Sequence, residues 1–290
     1  MALLKRSSPK APMDDDGRMS LIDHIRELRN RLVKMILAVV LGTAVGFIFF
    51  TPIWNFMVKP FCRLPAAYRL DPTHKSCQLV VHGVLDGFML NLQVALIFGA
   101  VVSAPIWIYQ IWAFVTPGLY QNEKRYTLGF LGMSVPLFAA GATLAYLTMD
   151  RGLAILFNFV PDNTVPLLDV GDYVSFLTLM VVIFGISFLM PLLMAFLNVI
   201  GVLKFSTVAK HQRTVVFLLF VFAAVATPSQ DPFTMLALAM PMVILFFVAE
   251  IFMYFHDKRR AAADAAHARA IEEELDGPSA STLDSFDTRD

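Results

Sequence analysis

The chain has 290 residues, 57% of them hydrophobic and 16% charged, with a mean hydropathy of +0.65 and a formal net charge of zero. A soluble domain is closer to a quarter charged, so a water-soluble globular class is excluded. The zero balance also removes any argument for a partner from bulk charge. The apolar excess comes in blocks near 20 residues long, the length that crosses about 30 Å of hydrocarbon.

Residues 1–18 are polar and carry Lys5, Arg6 and Lys10. They lack the apolar core and small-residue cleavage site of a signal peptide, which predicts a flexible N-terminal tail. The membrane domain is expected over 19–258. It opens with MSLIDHIRELRNRL, where Leu21, Ile25, Leu28 and Leu32 recur at helical spacing. Ser20 is a candidate N-cap, with Asp23 three residues on. Asp23, Glu27 and Arg31 fall on one face at i, i+4 spacing. One reading is a solvated face with a Glu27–Arg31 pair worth a few tenths of a kcal/mol. The other is a carboxylate displayed at the inner membrane surface for a cationic ligand.

Six spans are predicted, at about 32–50, 84–108, 126–147, 173–200, 215–226 and 233–254. Spanning backbone must satisfy its own hydrogen bonds, so an all-α fold is expected. Runs such as ILAVVLG lack the dyad alternation of a transmembrane barrel. The loop after the first span holds both cysteines, Cys62 and Cys77. A disulfide there would close a loop of about 15 residues, worth about 3 kcal/mol in the chain-entropy model; two free thiols are the alternative. At the inner end of the second span lies SAPIWIYQIWAFVTPGLYQNEKR. Its Trp107, Tyr109, Trp112, Phe114 and Tyr120 read as an interfacial aromatic belt. Pro117–Gly118 breaks the helix, and Glu123 sits in a charged turn with Lys124 and Arg125.

The fifth segment has an apolar part of about a dozen residues, roughly 18–20 Å as helix. That is well under the hydrocarbon thickness, so it must thin the bilayer, snorkel its ends or lie against a partner. A short helix buried in the protein's own bundle is the competing reading. In the following turn, ATPSQDPFTM, Asp231 is a candidate cap for the sixth helix, and Thr227 could satisfy backbone at the end of the fifth. Glu250 is expected to snorkel toward Lys258–Arg260. The tail 259–290 is alanine-rich, then acidic, then Ser/Asp-rich. It is expected to be cytoplasmic, helical at its alanine-rich start and largely disordered beyond.

Of the 23 lysines and arginines, 18 fall on the side that holds both termini; only Lys59, Arg63, Arg69, Lys75 and Arg151 fall on the other. The positive-inside rule then predicts both termini in the cytoplasm. There is no GxxxxGK[ST] loop for a nucleotide, no CxxC or HExxH spacing for a metal, and no catalytic constellation suggested by spacing. The expectation is a protein that is no enzyme and has no cofactor.

The pieces LIDHIRELRNRL, SAPIWIYQIWAFVTPGLYQNEKR and TPSQDPFTMLALAMPM, in this order, resemble the TatC family, the polytopic core of the twin-arginine protein translocase. The resemblance covers residues 19 to 258. The cysteine pair and the long charged tail look like those of actinobacterial members. The resemblance implies a concave, cup-like bundle in the cell membrane of a bacterium that receives twin-arginine signal peptides of folded precursors. It implies single-span partners, TatA and TatB, and transport driven by the proton motive force. Glu27 and Arg29 match the family's N-terminal motif, and Phe114 and Glu123 its first inner loop, so these four are the expected signal-peptide site. Two carboxylates suit two guanidiniums, whose planar fork pairs bidentately where lysine cannot. Thr227, Asp231 and Met235 match the region expected to meet the partners near spans five and six.

The chain departs from the family pattern at three positions. Leu189 stands where a glutamate is usual in FGISFLMP, Met235 where several members have glutamine, and Gln93 where lysine is common. A carboxylate at membrane depth would be a functional hypothesis by default, and here it is absent. Leu189 and Met235 would form one apolar repacking if they faced each other, since removing both polar partners of a pair can be nearly neutral. The competing function is a secondary transporter of a small solute, which should show internal repeats and polar broken helices at the midplane. The two halves show no evident repeat. A structural assembly protein is a third reading. Cross-linking to a twin-arginine precursor discriminates among the three.

Overall fold

The computed structural model describes residues 21–64, 79–115, 124–161, 168–229 and 231–276. Among these every regular element is a helix, apart from an isolated bridge between Val80 and Asp169. The helices are α1 (Leu21–Ile48), α2 (Phe50–Cys62), α3 (Asp86–Val102), α4 (Ala104–Val115), α5 (Lys124–Phe157), α6 (Val170–Ser187), α7 (Met190–Val199), α8 (Phe205–Lys210), α9 (Gln212–Ala226) and α10 (Pro232–Asp276). Four stretches are long and apolar enough to cross a membrane, and the bent pair α3–α4 makes a fifth. Helix α9 is a shorter apolar helix of 15 residues.

Glycine sets the closest contact, between α1 and α3. Gly42 and Gly46 lie one turn apart on α1. A Cβ on Gly42 would sit 2.8 Å from the Cα of Gly99, and one on Gly46 2.8 Å from the carbonyl oxygen of Ala95. Lipid offers no hydrophobic drive for helix association, so small residues that admit close van der Waals packing carry it. The α5–α6 contact repeats the device. A Cβ on Gly141 would lie within van der Waals overlap of the Phe184 carbonyl, and the Phe138 ring fills the space beside Gly185.

Two spans read as single helices depart from one straight helix, each beside a proline, the second span by a bend and the fourth by a local turn. The second bends by 57° between α3 and α4 at Ser103, two residues before Pro105. The fourth has its turn at Phe188–Leu189, just before Pro191 in the first turn of α7. Proline lacks an N–H and its ring clashes with the carbonyl four residues back, so each departure falls where that clash would be.

Beyond the first span the chain forms α2, a separate 13-residue helix absent from the sequence reading. Two tyrosines hold it: Tyr146 donates its hydroxyl to the carbonyl of Phe56 (2.8 Å), and Tyr173 to that of Met57. The neighbouring bridge joins Val80 to Asp169, with the Val170 N–H donating to the Val80 carbonyl at 3.0 Å. His82 Nδ1 lies 2.9 Å from Asp169 Oδ2. Asp169 also caps α6 by accepting from the Gly171 N–H at 2.7 Å. These bonds, that to His82 foremost, hold the Asp169 carboxyl below the usual carboxylate range.

Helix α10 runs 45 residues, about 68 Å. It is twice what a bilayer needs and continues unbroken through 259–276, where mostly disorder was expected. Alanine and glutamate in that stretch are strong helix formers. The short α9 buries only Ala223 and exposes Phe217, Leu218, Val221 and Val225. The reading of α9 as a helix buried in the protein's own bundle is therefore corrected: its apolar face looks outward.

Candidate functional site

The first turns of α1 lie against α4, and polar side chains meet there. Glu27 accepts from Arg31 Nε at 2.9 Å and from Arg31 Nη2, both on its Oε1. Arg31 Nη1 reaches 3.5 Å to Gln110 Oε1 on α4. The Glu27 and Arg31 side chains are only 23% and 20% exposed, so this is a half-buried pair rather than a solvated one. Its second carboxylate oxygen, Oε2, is buried with no hydrogen-bond partner among the described residues. A carboxylate offers about four lone-pair sites, and an unmet buried one favours a donor. One turn earlier, His24 stacks on Phe114, ring centroids 4.5 Å apart. The site is thus a carboxylate with spare capacity, flanked by a guanidinium, an amide and a stacked ring pair. It can accept hydrogen bonds from a cation that displaces the side chains now covering Oε2.

Of the four expected signal-peptide residues, Glu27 and Phe114 lie in this arrangement through Arg31, Gln110 and His24. Arg29 is exposed on the helix, and Glu123 lies outside the described residues, as do Ser20, Pro117 and Gly118. Gln110 and His24 escaped the sequence reading. The only signal for Gln110 was a lone amide inside IWIYQIWAF. The belt aromatics divide: Trp112 is buried and donates to Ser134 Oγ at 2.7 Å, and Trp107 donates to the Ala100 carbonyl at 2.8 Å.

At the other end of the molecule Asp231 is 4% exposed and caps α10, accepting from the Thr234 N–H at 2.8 Å and from the Thr234 hydroxyl. Ser229 and Thr234 hydroxyls lie 2.6 Å apart. Burial raises the Asp231 carboxyl pKa, but hydrogen bonds from Ser229, Thr234 and the Thr234 and Phe233 N–H groups outweigh it and hold it below the usual carboxylate range. Thr227 is buried, its hydroxyl unpartnered among the described residues. Met235 is half-buried one residue beyond Thr234.

The family-departure positions are placed as follows. Gln93 donates to Ser175 Oγ at 2.9 Å, joining α3 to α6. Leu189 immediately precedes α7 and packs on the cluster of Ile108, Trp112 and Phe196, whereas Met235 packs on the cluster around Tyr173 and Leu238. The two do not form one repacked site, because they pack on different clusters. Glu250 does not extend toward Lys258–Arg260: it is buried and accepts from Gln212 Nε2 of α9 at 3.2 Å. Burial made a nearby amide the closer donor. Cys62 ends α2 and is not free; Cys77 lies outside the described residues. Among the described residues no three His, Cys, Asp or Glu side chains group to hold a metal.

Residues 23–241 match a family model described as Sec-independent protein translocase protein (TatC). The chain is 45% identical over 250 residues to the Sec-independent protein translocase protein TatC of Frankia casuarinae, spanning 85% of this chain and 69% of that one. It is 35% identical over 274 residues to the protein of that name from Corynebacterium kroppenstedtii, spanning 88% and 66%. In structure it is similar to the crystal structure of a twin arginine translocase receptor, TatC, in DDM, with TM-score 0.64 and 27% identity over 79% of this chain and 99% of that chain.

Proposed function

The chain belongs to the TatC family of Sec-independent protein translocases, a multi-pass membrane transport protein and not an enzyme, and from that premise we propose how its inner-end site works. Its role is that of the receptor subunit of a twin-arginine translocase. The signal peptide's paired arginines dock at Glu27 and Glu123, with Arg29 and Phe114 beside them. The observation that carries this reading is the buried, unpartnered Oε2 of Glu27. A guanidinium supplies donors in a rigid fork that lysine lacks, which accounts for an arginine-specific signal. Exposed pairs alone are weak, and the half-burial of Glu27 supplies the shielding a recognition site needs.

The rest of the assembly follows from family membership and charge. Both termini lie in the cytoplasm of a bacterial cell, and the chain crosses the membrane six times, with α9 as the fifth span, in a concave cup. TatA and TatB pack near spans five and six, at Thr227, Asp231 and Met235, where α9 leaves its apolar face uncovered. Folded precursors cross at the expense of the proton motive force. Cys62 and Cys77 form a disulfide on the outer side.

The test is photo-cross-linking of the reconstituted protein to a twin-arginine signal peptide and to its Lys-Lys variant. The Arg-Arg peptide should cross-link near Glu27 and the Lys-Lys peptide should not. Glu27→Ala should cost at least about tenfold in peptide affinity, the worth of a hydrogen bond to a charged group, with membrane insertion intact. Equal binding of both peptides would end the receptor reading of this site.

A further inference from the structure

On α10, Leu245, Val248, Phe252, Phe255 and Arg259 recur at alternating three- and four-residue steps and so form one stripe along the helix. The part from Leu245 to Phe252 lines an apolar cavity of 470 Å³ whose other walls come from α5 (Gly129, Met133) and α7 (Leu192). The part from Phe252 onward lines a second cavity of 570 Å³ with His256, Arg259 and Arg260. Phe252 lines both, so the apolar groove and the basic end adjoin. Gly129 leaves the groove open, since a Cβ there would meet nothing within 4 Å.

The dimensions are those of one lipid leaflet. Leu245 to Phe255 spans about 15 Å of helix, half of the ~30 Å hydrocarbon layer. Arg259 and Arg260 lie about 6 Å further on, at the depth of headgroup phosphates. Among the described residues neither makes an ion pair. The Arg260 guanidinium lies over Gly201, 3.2 Å from where a Cβ would stand. The neighbouring Asp257 makes no ion pair with either: its oxygens accept from Asn198 Nδ2 at 2.9 Å and the Phe205 N–H at 2.8 Å, so two guanidiniums face one carboxylate and the end stays net basic. His256 Nδ1 is buried in the same wall with no hydrogen-bond partner, 3.7 Å from Asp257.

We propose that this groove is a specific site for one anionic phospholipid. Its phosphate pairs with Arg259 and Arg260, whose guanidiniums suit phosphate bidentately. One acyl chain lies along Leu245–Phe252 between α5 and α7. Placing it in the cytoplasmic leaflet rests on the orientation proposed above; the site itself does not. The lipid would fill a groove that the α6–α7 span leaves open at Pro191 and Leu192, and would fasten α10 to α5 and α7.

The full chain is reconstituted in phosphatidylcholine bilayers containing a minority of phosphatidylglycerol, and retained lipids are counted by native mass spectrometry. One phosphatidylglycerol should be retained with roughly five- to tenfold preference, as expected of a net single positive charge from Arg259, Arg260 and Asp257 near an anionic headgroup. The double variant R259Q/R260Q should bring the two lipids to parity. Gly129→Leu, which fills the groove from its open side, should lower retention of both. Soluble glycerol phosphate should not displace the lipid; displacement would mean a phosphate site without a chain and would overturn the proposal. Equal retention by the unaltered protein, or a preference that survives R259Q/R260Q, would overturn it too. So would a photo-cross-linker at Met133 that captures a protein helix instead of lipid. Twin-arginine peptide binding by both variants, measured in the same preparations, should be unchanged, which separates this site from the receptor reading.

Discussion

At the scale of single residues, Arg31 matters most. In the free protein it occupies one oxygen of Glu27, the group assigned to the incoming arginine. A guanidinium from the peptide therefore finds half the carboxylate already taken by one from the same helix. Arg31→Gln should raise the affinity for a twin-arginine peptide several-fold, because removing the internal donor leaves a half-buried charge short of partners. Titration calorimetry of the variant against the Arg-Arg peptide checks this, and unchanged affinity would mean that Arg31 only braces the helix. Asp231 offers a second residue-scale expectation. Its pKa is lowered in the fold, so the stability it contributes is fully present above the ordinary carboxylate value of about 3.9. That stability is lost as the pH falls through that value toward the folded one. Amide exchange at Thr234, the N–H that Asp231 accepts from, should quicken over that window, and Asp231→Ala should cost about 1 kcal/mol as a lost cap.

At the scale of elements, the α1–α3 contact depends on three glycines that admit backbone to backbone. Any Cβ at Gly99 would fall against the Thr43 N–H and hydroxyl, and backbone cannot retreat without separating the helices. Gly99→Val should therefore destabilise the fold by more than the 1–3 kcal/mol typical of an overpacked core, seen as a lower midpoint in thermal unfolding in detergent. Gly87→Ala, where a Cβ meets nothing within 4 Å, should leave the midpoint within experimental scatter. Here sequence and structure diverge instructively. A GxxxG spacing in α1 is visible in the chain, but its partner surface at Ala95 and Gly99 is not, since nothing local says which span lies opposite. The prolines at 105 and 191 were equally plain, yet a proline in a membrane helix is often tolerated. Only the tertiary structure shows that the first bends its span by 57° while the second leaves a local turn inside a continuous one.

At the scale of the whole molecule, the length of the short α9 can be tested against transport. Fifteen residues reach about 22 Å, less than the hydrocarbon layer, and the outward apolar face invites either a thinned bilayer or a covering partner. Lengthening α9 by several leucines should leave twin-arginine peptide binding at the α1–α4 end unchanged and abolish export, measured with a reporter precursor in cells. Normal export by the lengthened protein would remove bilayer thinning from the mechanism. The two ends of the molecule are joined by α10, which carries the Asp231 cap at one end and the Arg259–Arg260 pair past the other.

The sequence by itself determined that this is a helical membrane protein of the TatC family. Apolar length, positive charge by loop and the three ordered motifs are properties of contiguous residues, and each can be read without knowing what lies opposite. It also carried the Glu27–Arg31 pair, since i, i+4 neighbours on a helix meet whatever the tertiary fold. Only the tertiary structure decided that Gln110 reaches that pair, that Phe114 stacks on His24 one turn earlier, that Glu250 turns to Gln212, and that Leu189 and Met235 pack in separate clusters. It also showed that α9 faces outward. These are contacts between helices distant in sequence, fixed by which small residues permit close approach and where a proline bends the path, and that choice is made by packing the whole chain at once.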